Sequence, residues 1–302
     1  MKILLAGGTG YIGKALRAEL KALGHDVRLL VRHASVGTVG AGDGFEIAPG
    51  DVLDTHACLS AVDGCSAVVN LVGVLREIPT QGTTYEALHT EATYNLVDAA
   101  RLMEVDRFIQ MSGLGARPDA ASRYHTTKYE AEEIVCKSPM RWTIFRPSVI
   151  FGPGDDFHAQ LVDLVHRPIV PMIDGGKALL QPVSLSNVIG AMARSVTMPE
   201  TQGRVFEAGG PDRVAFNELV ERVARHYGVW MNTVRVSSRM LKPAVRVLQR
   251  FKSFPLTVDQ MVMLLEDNTC DPGPFVDMFG VELEPYLAKL PELLDAQKVP
   301  VG

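Results

Sequence analysis

The apolar positions of the chain fall into short runs separated by longer amphipathic stretches. Lys2 to Ala6, Val27 to Val31, Phe45 to Ala48, Ala67 to Val72, Phe108 to Met111 and Trp142 to Phe145 are each of strand length. Their apolar residues are continuous rather than alternating, which predicts strands covered on both faces. Between them, Lys14 to Leu23, His56 to Val62, Tyr85 to Met103 and Tyr124 to Lys137 carry apolar residues at helical spacing. In the first of these, Ala15, Leu16, Leu20 and Leu23 share one side, and Gly24 is placed to end the helix. Strands that alternate with helices predict βαβ units and an α/β fold built on a doubly wound parallel sheet.

After Gly152 the texture changes. Pro153, Pro168, Pro171, Gly175, Gly176, Pro182 and Pro199 interrupt the chain more often. Strand-like pieces recur at Val205 to Ala208 and Thr233 to Val236. Helical ones recur at Phe216 to Tyr227, Ala244 to Phe251 and Asp259 to Leu265. The expected organisation is therefore a core over 1–152 and a smaller C-terminal α+β lobe over 153–302 for a substrate or partner. Some segments, such as 182–209, are expected to return to the core.

Gly7, Gly10 and Gly13 space a G-x-x-G-x-x-G loop between the first strand and the first helix. Such a loop turns tightly at its first glycine and lets a pyrophosphate approach the backbone at its second. The third allows helix and strand to pack closely, and the helix N-terminus offers free N–H groups to phosphate. The strand–loop–helix context makes this a Rossmann-type dinucleotide site, with Thr9, Tyr11 and Ile12 in the same loop. The second strand ends Leu30-Val31-Arg32-His33, without the acidic residue that usually holds an NAD ribose. Arg32, with His33 and Ser35 beside it, is placed to pair with a 2′-phosphate. The expected cofactor is NADP(H), with NAD(H) as the alternative.

The chain of 302 residues is 47% hydrophobic and 22% charged, with a formal net charge of −5. That is ordinary globular composition, and without a basic excess nucleic acid is not an expected partner. Cys58, Cys65, Cys136 and Cys270 make no CxxC pair, so no zinc site or disulfide framework is predicted and a reducing compartment fits. The N-terminal apolar run is a strand's length and enters glycines, unlike a secretory signal. The longest uncharged apolar stretch, near Ser66 to Leu75, is too short to span a bilayer.

The order of motifs resembles the extended and atypical branch of the short-chain dehydrogenase/reductase superfamily. The resemblance rests on Gly7 to Gly13, Gly50-Asp51-Val52, Asn70-Leu71-Val72-Gly73, Asn95 to Ala100, and Arg146-Pro147-Ser148-Val149-Ile150-Phe151-Gly152-Pro153-Gly154. It implies that Asp51 and Val52 lie near the adenine. It also implies that Leu71, Val72 and Gly73 pass along the cofactor, and that Pro147 and Val149 lie against the nicotinamide. Phe206 to Pro211, Leu264 to Asn268 and the stretch from Phe279 to Leu293 are similar to a subgroup that contains the NADPH-binding accessory subunit of respiratory complex I. For that subgroup the resemblance implies a bound nucleotide with a structural or assembly role.

Tyr124-His125-Thr126-Thr127-Lys128 supplies the Y-x-x-x-K spacing of the superfamily, which puts both side chains on one helical face. Tyr124 is the expected acid–base group, its pKa lowered by the ammonium and an oxidised nicotinamide. Lys128 is expected to hold the nicotinamide ribose. Ser112, twelve residues before Tyr124, is a candidate third member, although aligning the strand places Gly113 at the usual serine position. Thr126 and Thr127 are weaker substitutes. His89 reads as an ordinary helix-face histidine. His158 and His166 have no ligand spacing to a Cys or carboxylate, and no metal is assigned. Asp155-Asp156 reads as a helix cap.

From Arg235 to Val258 there is no acidic residue. Arg239, Lys242, Arg246 and Arg250 follow helical steps, with Pro243 suited to a first turn. Two readings stand: a solvated helix packed on the lobe, or a face that docks on an anionic membrane surface or a respiratory-complex partner. The expected location is cytoplasmic, peripheral to the inner membrane on the second reading. Two functions follow, an NADP(H)-dependent oxidoreductase or epimerase-like enzyme, and a nucleotide-binding structural or assembly factor. No residue pattern identifies a substrate.

Overall fold

A computed structural model describes residues 1–32, 35, 37, 39, 44–249, 254 and 256–297. The first half alternates strand and helix: β1 (Lys2–Ala6), α1 (Tyr11–Ala22), β2 (Asp26–Val31), β3 (Glu46–Pro49), α2 (Thr55–Val62), β4 (Ala67–Asn70), α3 (Ala92–Leu102), β5 (Arg107–Met111), α4 (Arg123–Cys136) and β6 (Arg141–Pro147). There follow β7 (Ile150–Phe151), α5 (Asp156–Val165), β8 (Val170–Ile173), β9 (Leu179–Leu180), β10 (Val183–Ser184), α6 (Leu185–Ser195), β11 (Arg204–Ala208), β12 (Val214–Ala215) and α7 (Phe216–His226). The chain closes with β13 (Thr233–Val236), α8 (Ser238–Leu248), α9 (Val258–Met263), α10 (Gly273–Phe279) and α11 (Tyr286–Asp295).

Seven strands form one parallel sheet in the order β11-β6-β5-β4-β1-β2-β3. The expected doubly wound Rossmann sheet is thus present. Side chains leave a strand alternately to its two faces. Ile3 and Leu5 of β1 join a core with Leu16 and Leu20 of α1, Val188 and Met192 of α6, and Phe275 and Phe279 of α10. Leu4 and Ala6 join the opposite core, with Cys58 and Val62 of α2, Leu96 and Ala100 of α3, and Val135 of α4. Burial on both faces is why these strands read as unbroken apolar runs. A third core, from Leu161 and Val165 of α5, Leu219 and Val223 of α7, and Tyr286, Leu290 and Leu294 of α11, lies outside the sheet layers.

Several bounds differ from expectation for identifiable reasons. The first helix begins at Tyr11, inside the glycine loop, because Gly10 is its N-cap and Gly13 its third residue. The predicted helix from Tyr85 starts as a π-helical turn over Glu86–Glu91 before α3. The basic helix starts at Ser238, not Ala244, so Pro243 lies inside it rather than in its first turn. Asp174 Oδ1 accepts from Ser238 N–H at 3.1 Å and supplies the cap that composition alone did not reveal. The expected extension of that helix to Phe251 lies outside the described residues. Helices α10 and α11 were not legible as helices.

Strand β11 completes the sheet from late in the chain, and α10 anchors it. Phe279 packs its ring 5.6 Å from that of Phe145 on β6 and 5.0 Å from that of Phe206 on β11. Truncation of a buried phenylalanine costs about 3–5 kcal/mol. Phe279→Ala is expected to lose stability on that scale in urea unfolding. A loss below about 1 kcal/mol would show that α10 is not what holds the sheet edge.

Candidate cofactor cleft and acid–base site

The strand order reverses between β1 and β4, and at such a switch point loops diverge to leave a crevice at the strands' C-terminal ends. The glycine loop after β1 and the Leu71–Gly73 segment after β4 meet there. A β-carbon on Gly7, at φ +84°, would lie 3.1 Å from the Leu71 carbonyl carbon. One on Gly13 would lie 2.2 Å from the Gly7 carbonyl oxygen, so α1 can sit this close to β1 only with glycine there. Gly10 is different. Its backbone is extended, and a β-carbon would stand 3.5 Å from Gly7 O, an ordinary contact. Nothing in the protein demands glycine at that position, whereas a ligand lying against the loop would.

The first turn of α1 has no side-chain cap and no acidic residue, so its N–H groups are open to an anion. Tyr11 reaches from this turn to the second half of the chain. Its hydroxyl is buried without a hydrogen-bond partner among the described residues, and burial with Asp155 and Asp156 nearby raises its pKa. An orphaned buried hydroxyl beside a bare helix N-terminus fits a phosphorylated dinucleotide. Thr9 and Ile12 lie in the same loop, Ile12 against the first core. Arg32 stands exposed just past β2. His33 lies outside the described residues.

The other wall is braced by buried amides. Asn70 Nδ2 donates to Thr93 Oγ1 at 3.1 Å and to Gln110 Oε1 at 3.0 Å, while its Oδ1 accepts from Val72 N–H at 3.0 Å. Asp51 Oδ1 accepts from Leu53 N–H, and Val52 O accepts from Asn95 Nδ2, both at 3.0 Å. Leu114 N–H donates to Pro147 O and Val183 N–H to Val149 O, each at 2.9 Å, which carries the strand ladders past β5 and β6.

Ser122 caps α4 by accepting from His125 N–H, and the helix then projects Tyr124 and Lys128 together. Lys128 is buried, with Nζ 3.3 Å from Met111 O and 3.5 Å from Val72 O. It fills the space beside Gly73, where a β-carbon would lie 2.8 Å from Nζ. Desolvation lowers its pKa to about 8, against the opposing pull of Glu132. Burial pushes Tyr124 up to about 12. That is opposite to the expected direction, because burial disfavours the phenolate.

The surroundings of the two candidate serine positions differ. A β-carbon on Gly113 would stand 3.2 Å from the Tyr124 hydroxyl. Ser112 N–H donates to Phe145 O at 2.7 Å, and its buried Oγ has no partner among the described residues. Gly113 therefore lies against the tyrosine hydroxyl, and Ser112 stands next to it in the chain with its own hydroxyl buried and, among the described residues, unbonded. Thr127 Oγ1 bonds to the carbonyls of Arg123 and Tyr124, and Thr126 Oγ1 to that of Ser122, so neither substitutes for it.

Two residues passed over in the sequence belong here. His89 is buried, and its ring stands edge-on to Tyr124 with centroids 5.3 Å apart. Tyr85 stacks on His89 and meets Tyr124 edge-on at 5.9 Å. Val74 N–H donates to His89 Nε2, so Nδ1 carries the proton and donates to Thr127 Oγ1 at 2.8 Å. Burial and the nearby Lys128 lower the histidine to about 2, which keeps it neutral. The π-helical turn that moves both rings inward has no simple residue signature, so the spacing of Tyr85 and His89 gave no warning.

The last third of the chain closes over the start of α4. Asp259 Oδ1 accepts from Arg123 N–H at 2.7 Å, and Arg117 Nη2 donates to both carboxylate oxygens of Glu266. Asn268 bonds Ser148 Oγ and the Leu114 carbonyl. Away from the site, Asp155 caps α5 as expected, but its carboxylate also holds His158 at 2.8 Å, with Tyr286 on the far ring nitrogen. His158 thus has the carboxylate partner that its sequence context did not suggest. Among the described residues no group of three or more His, Cys, Asp or Glu side chains is placed to hold a metal ion.

A family profile described as NAD(P)H-binding matches residues 7–159. The mitochondrial NADH-ubiquinone oxidoreductase 40 kDa subunit of Neurospora crassa is 27% identical over 223 residues, 74% of this chain and 58% of that protein. The 3-diazoavenalumate denitrifying reductase of a Streptomyces species is 29% identical over 230 residues, 67% of this chain and 74% of that protein. A short-chain dehydrogenase/reductase superfamily structure from Agrobacterium tumefaciens, with bound NAD, superposes with a TM-score of 0.72 at 20% identity. It covers 98% of this chain and 97% of its own.

Gly10→Ala is the sharp test of the cleft. The added methyl fits the protein, so the melting temperature is expected to stay within a few degrees while NADPH affinity drops at least about tenfold, or roughly 1.4 kcal/mol. Unchanged affinity in a calorimetric titration would remove the ligand explanation for this glycine.

Proposed function

Because the chain belongs to the NAD(P)H-binding family, in an extended short-chain dehydrogenase/reductase-like branch that resembles the complex I subunit, we propose that it is an NADP(H)-dependent oxidoreductase acting on a carbonyl or the matching alcohol. The observation that carries this reading is the pairing of Tyr124 and Lys128 on one face of α4, beside the ends of β4 and β5. The nicotinamide supplies or accepts the hydride when bound. Tyr124 donates the proton to the substrate oxygen during reduction and takes it back during oxidation. The Lys128 ammonium holds the nicotinamide ribose hydroxyls and lowers the cost of the tyrosinate. Neutral His89 and Tyr85 wall the tyrosine and exclude water. Asp51 and Val52 take the adenine end, Arg32 and His33 the 2′-phosphate, and Leu71, Gly73, Pro147 and Val149 the nicotinamide end. Residues 153–302, less returning segments such as 182–209, carry the substrate or a partner.

A second reading is favoured by Gly113. Without a hydroxyl at that position, the substrate oxygen has one protein donor where the superfamily usually offers two. A chain that holds NADP(H) without turnover, as a subunit of a respiratory assembly, fits that loss and the name of the Neurospora relative. On either reading we place the partner face on Arg239, Lys242 and Arg246 of α8, and the protein on the cytoplasmic side at a membrane's periphery. Arg250 of the expected face lies outside the described residues. Among the described residues no helix is long and apolar enough to cross a membrane.

Turnover of NADPH against a panel of aldehydes, ketones and quinones separates the two. If the chain is an enzyme, Tyr124→Phe lowers kcat by about 10²–10⁴-fold, the usual worth of a positioned proton donor. Gly113→Ser, which adds a hydroxyl beside Tyr124, raises it. A protein that binds NADPH yet reduces nothing, before and after Gly113→Ser, supports the subunit reading instead.

Cofactor preference rests on Arg32. Arg32→Ala is expected to weaken NADPH by 10–100-fold, the worth of a charge-assisted bidentate contact at about 1.5–3 kcal/mol, and to leave NADH nearly unchanged. Equal affinities for both cofactors in the wild type would reverse the NADP(H) assignment.

A further inference from the structure

The expected basic face of α8 has a second component that its sequence spacing hid. Successive residues of an α-helix step by about 100°. Val245 is the buried side of α8, and only it is fully covered. Arg239, Lys242 and Arg246 form one flank. Beyond them, on the side away from Val245, Pro243, Val247, Met240 and Ala244 make a continuous apolar strip. These residues face outward, with Met240 80% and Val247 58% exposed. Pro243 suits this strip, since an exposed helix face lets water satisfy the carbonyl that proline cannot serve.

The neighbouring ribbon has the same character. Strands β8 and β13 pair in parallel with Pro171 opposite Val234, and Ile169 lies just before β8. Ile169 and Val234 are both exposed, and Trp230, just before the ribbon, is 91% exposed. Arg167, Lys177 and Arg235 are exposed around it. The ribbon and α8 are tied together by Asp174, whose carboxylate caps the helix and lies near Arg235 and Arg239. No acidic residue occurs from Arg235 through Val258, in a chain whose overall charge is −5.

We propose that α8 lies in the interface of an anionic lipid bilayer, with Met240, Pro243, Ala244 and Val247 entering the acyl boundary and Arg239, Lys242 and Arg246 on the headgroup phosphates. The charge of the flank calls for an anionic surface. The uncovered apolar strip calls for one that also has a nonpolar interior within about 5–10 Å, which is the signature of interfacial helices. A tryptophan next to cations at the same end of the molecule is the composition of a membrane–water boundary. This rests on the placing of the partner face on α8 and is independent of turnover at Tyr124.

The test is flotation of the full chain with vesicles of neutral phosphatidylcholine, alone and with 30% phosphatidylglycerol added (about one lipid in three), at low salt. Two variants accompany it: Arg239→Glu with Lys242→Glu and Arg246→Glu, and Met240→Asp with Val247→Asp. Both change exposed side chains, and unaltered NADPH binding certifies their folds. Wild type is expected to float with the anionic vesicles only, and each variant to bind at least tenfold less. Each basic residue near an anionic surface is worth about 1 kcal/mol, so the triple reversal alone exceeds that margin. Anionic binding that survives Met240→Asp with Val247→Asp would overturn insertion while keeping a charged docking face. Absence of vesicle binding, together with capture of a purified protein partner that the triple variant loses, would assign the face to protein and overturn the proposal. Absence of both would remove the partner face itself.

Discussion

The close approach of α1 to β1 is the constraint on which the candidate site depends. A single methyl at Gly13 would come within 2.2 Å of the Gly7 carbonyl, so the helix start is pressed against the strand end with no slack. That contact aims the open N–H groups of the first turn at the reversal point of the sheet. It also sends Tyr11 across the crevice, where its hydroxyl sits 2.6 Å from the place a β-carbon on Gly152 would take. Tyr11 is thus one of the places where the two halves of the chain meet. Cofactor geometry here follows from backbone crowding before any side chain is chosen.

The opposite wall depends on satisfied buried polar groups. A buried amide left unpaired costs about 1–3 kcal/mol, so Asn70, bonded to Thr93, Gln110 and the Val72 N–H, has little freedom to move. Lys128 is less well served, with two carbonyls at 3.3 Å or beyond and a depressed pKa. A buried ammonium held so weakly is in an environment that a further acceptor would improve, and ribose hydroxyls are acceptors. The neutrality of His89 fits the same economy, since a second cation beside Lys128 would be expensive.

The parallel sheet and the glycine loop were legible because two-sided burial and glycine spacing leave direct marks on residue order. Tyr124 and Lys128 were legible for the same reason, a four-residue step on a helix. The inward turn of Tyr85 and His89 was not, because a π-helical turn shifts register without a residue type of its own. Residue order left Ser112 and Gly113 both open, since one residue of slip exchanges the two faces of a strand. The start of α8 was missed because its cap, Asp174, is distant in sequence, and with it the apolar strip beside the arginines. Helices α10 and α11 were hidden by their prolines, Pro272, Pro274 and Pro291, which read as breaks.

Asp259 caps the helix that carries Tyr124, and 136 residues of chain separate it from Arg123, its partner. Strand β11 likewise joins β6 from far along the chain, Arg204 pairing with Thr143, 61 residues before it. Contacts so distant along the chain close slowly, since loop closure precedes any reward from the contact. The start of the acid–base helix is therefore tied to the far end of the chain, so a change in the C-terminal lobe reaches the turn that carries Tyr124 through a single backbone hydrogen bond.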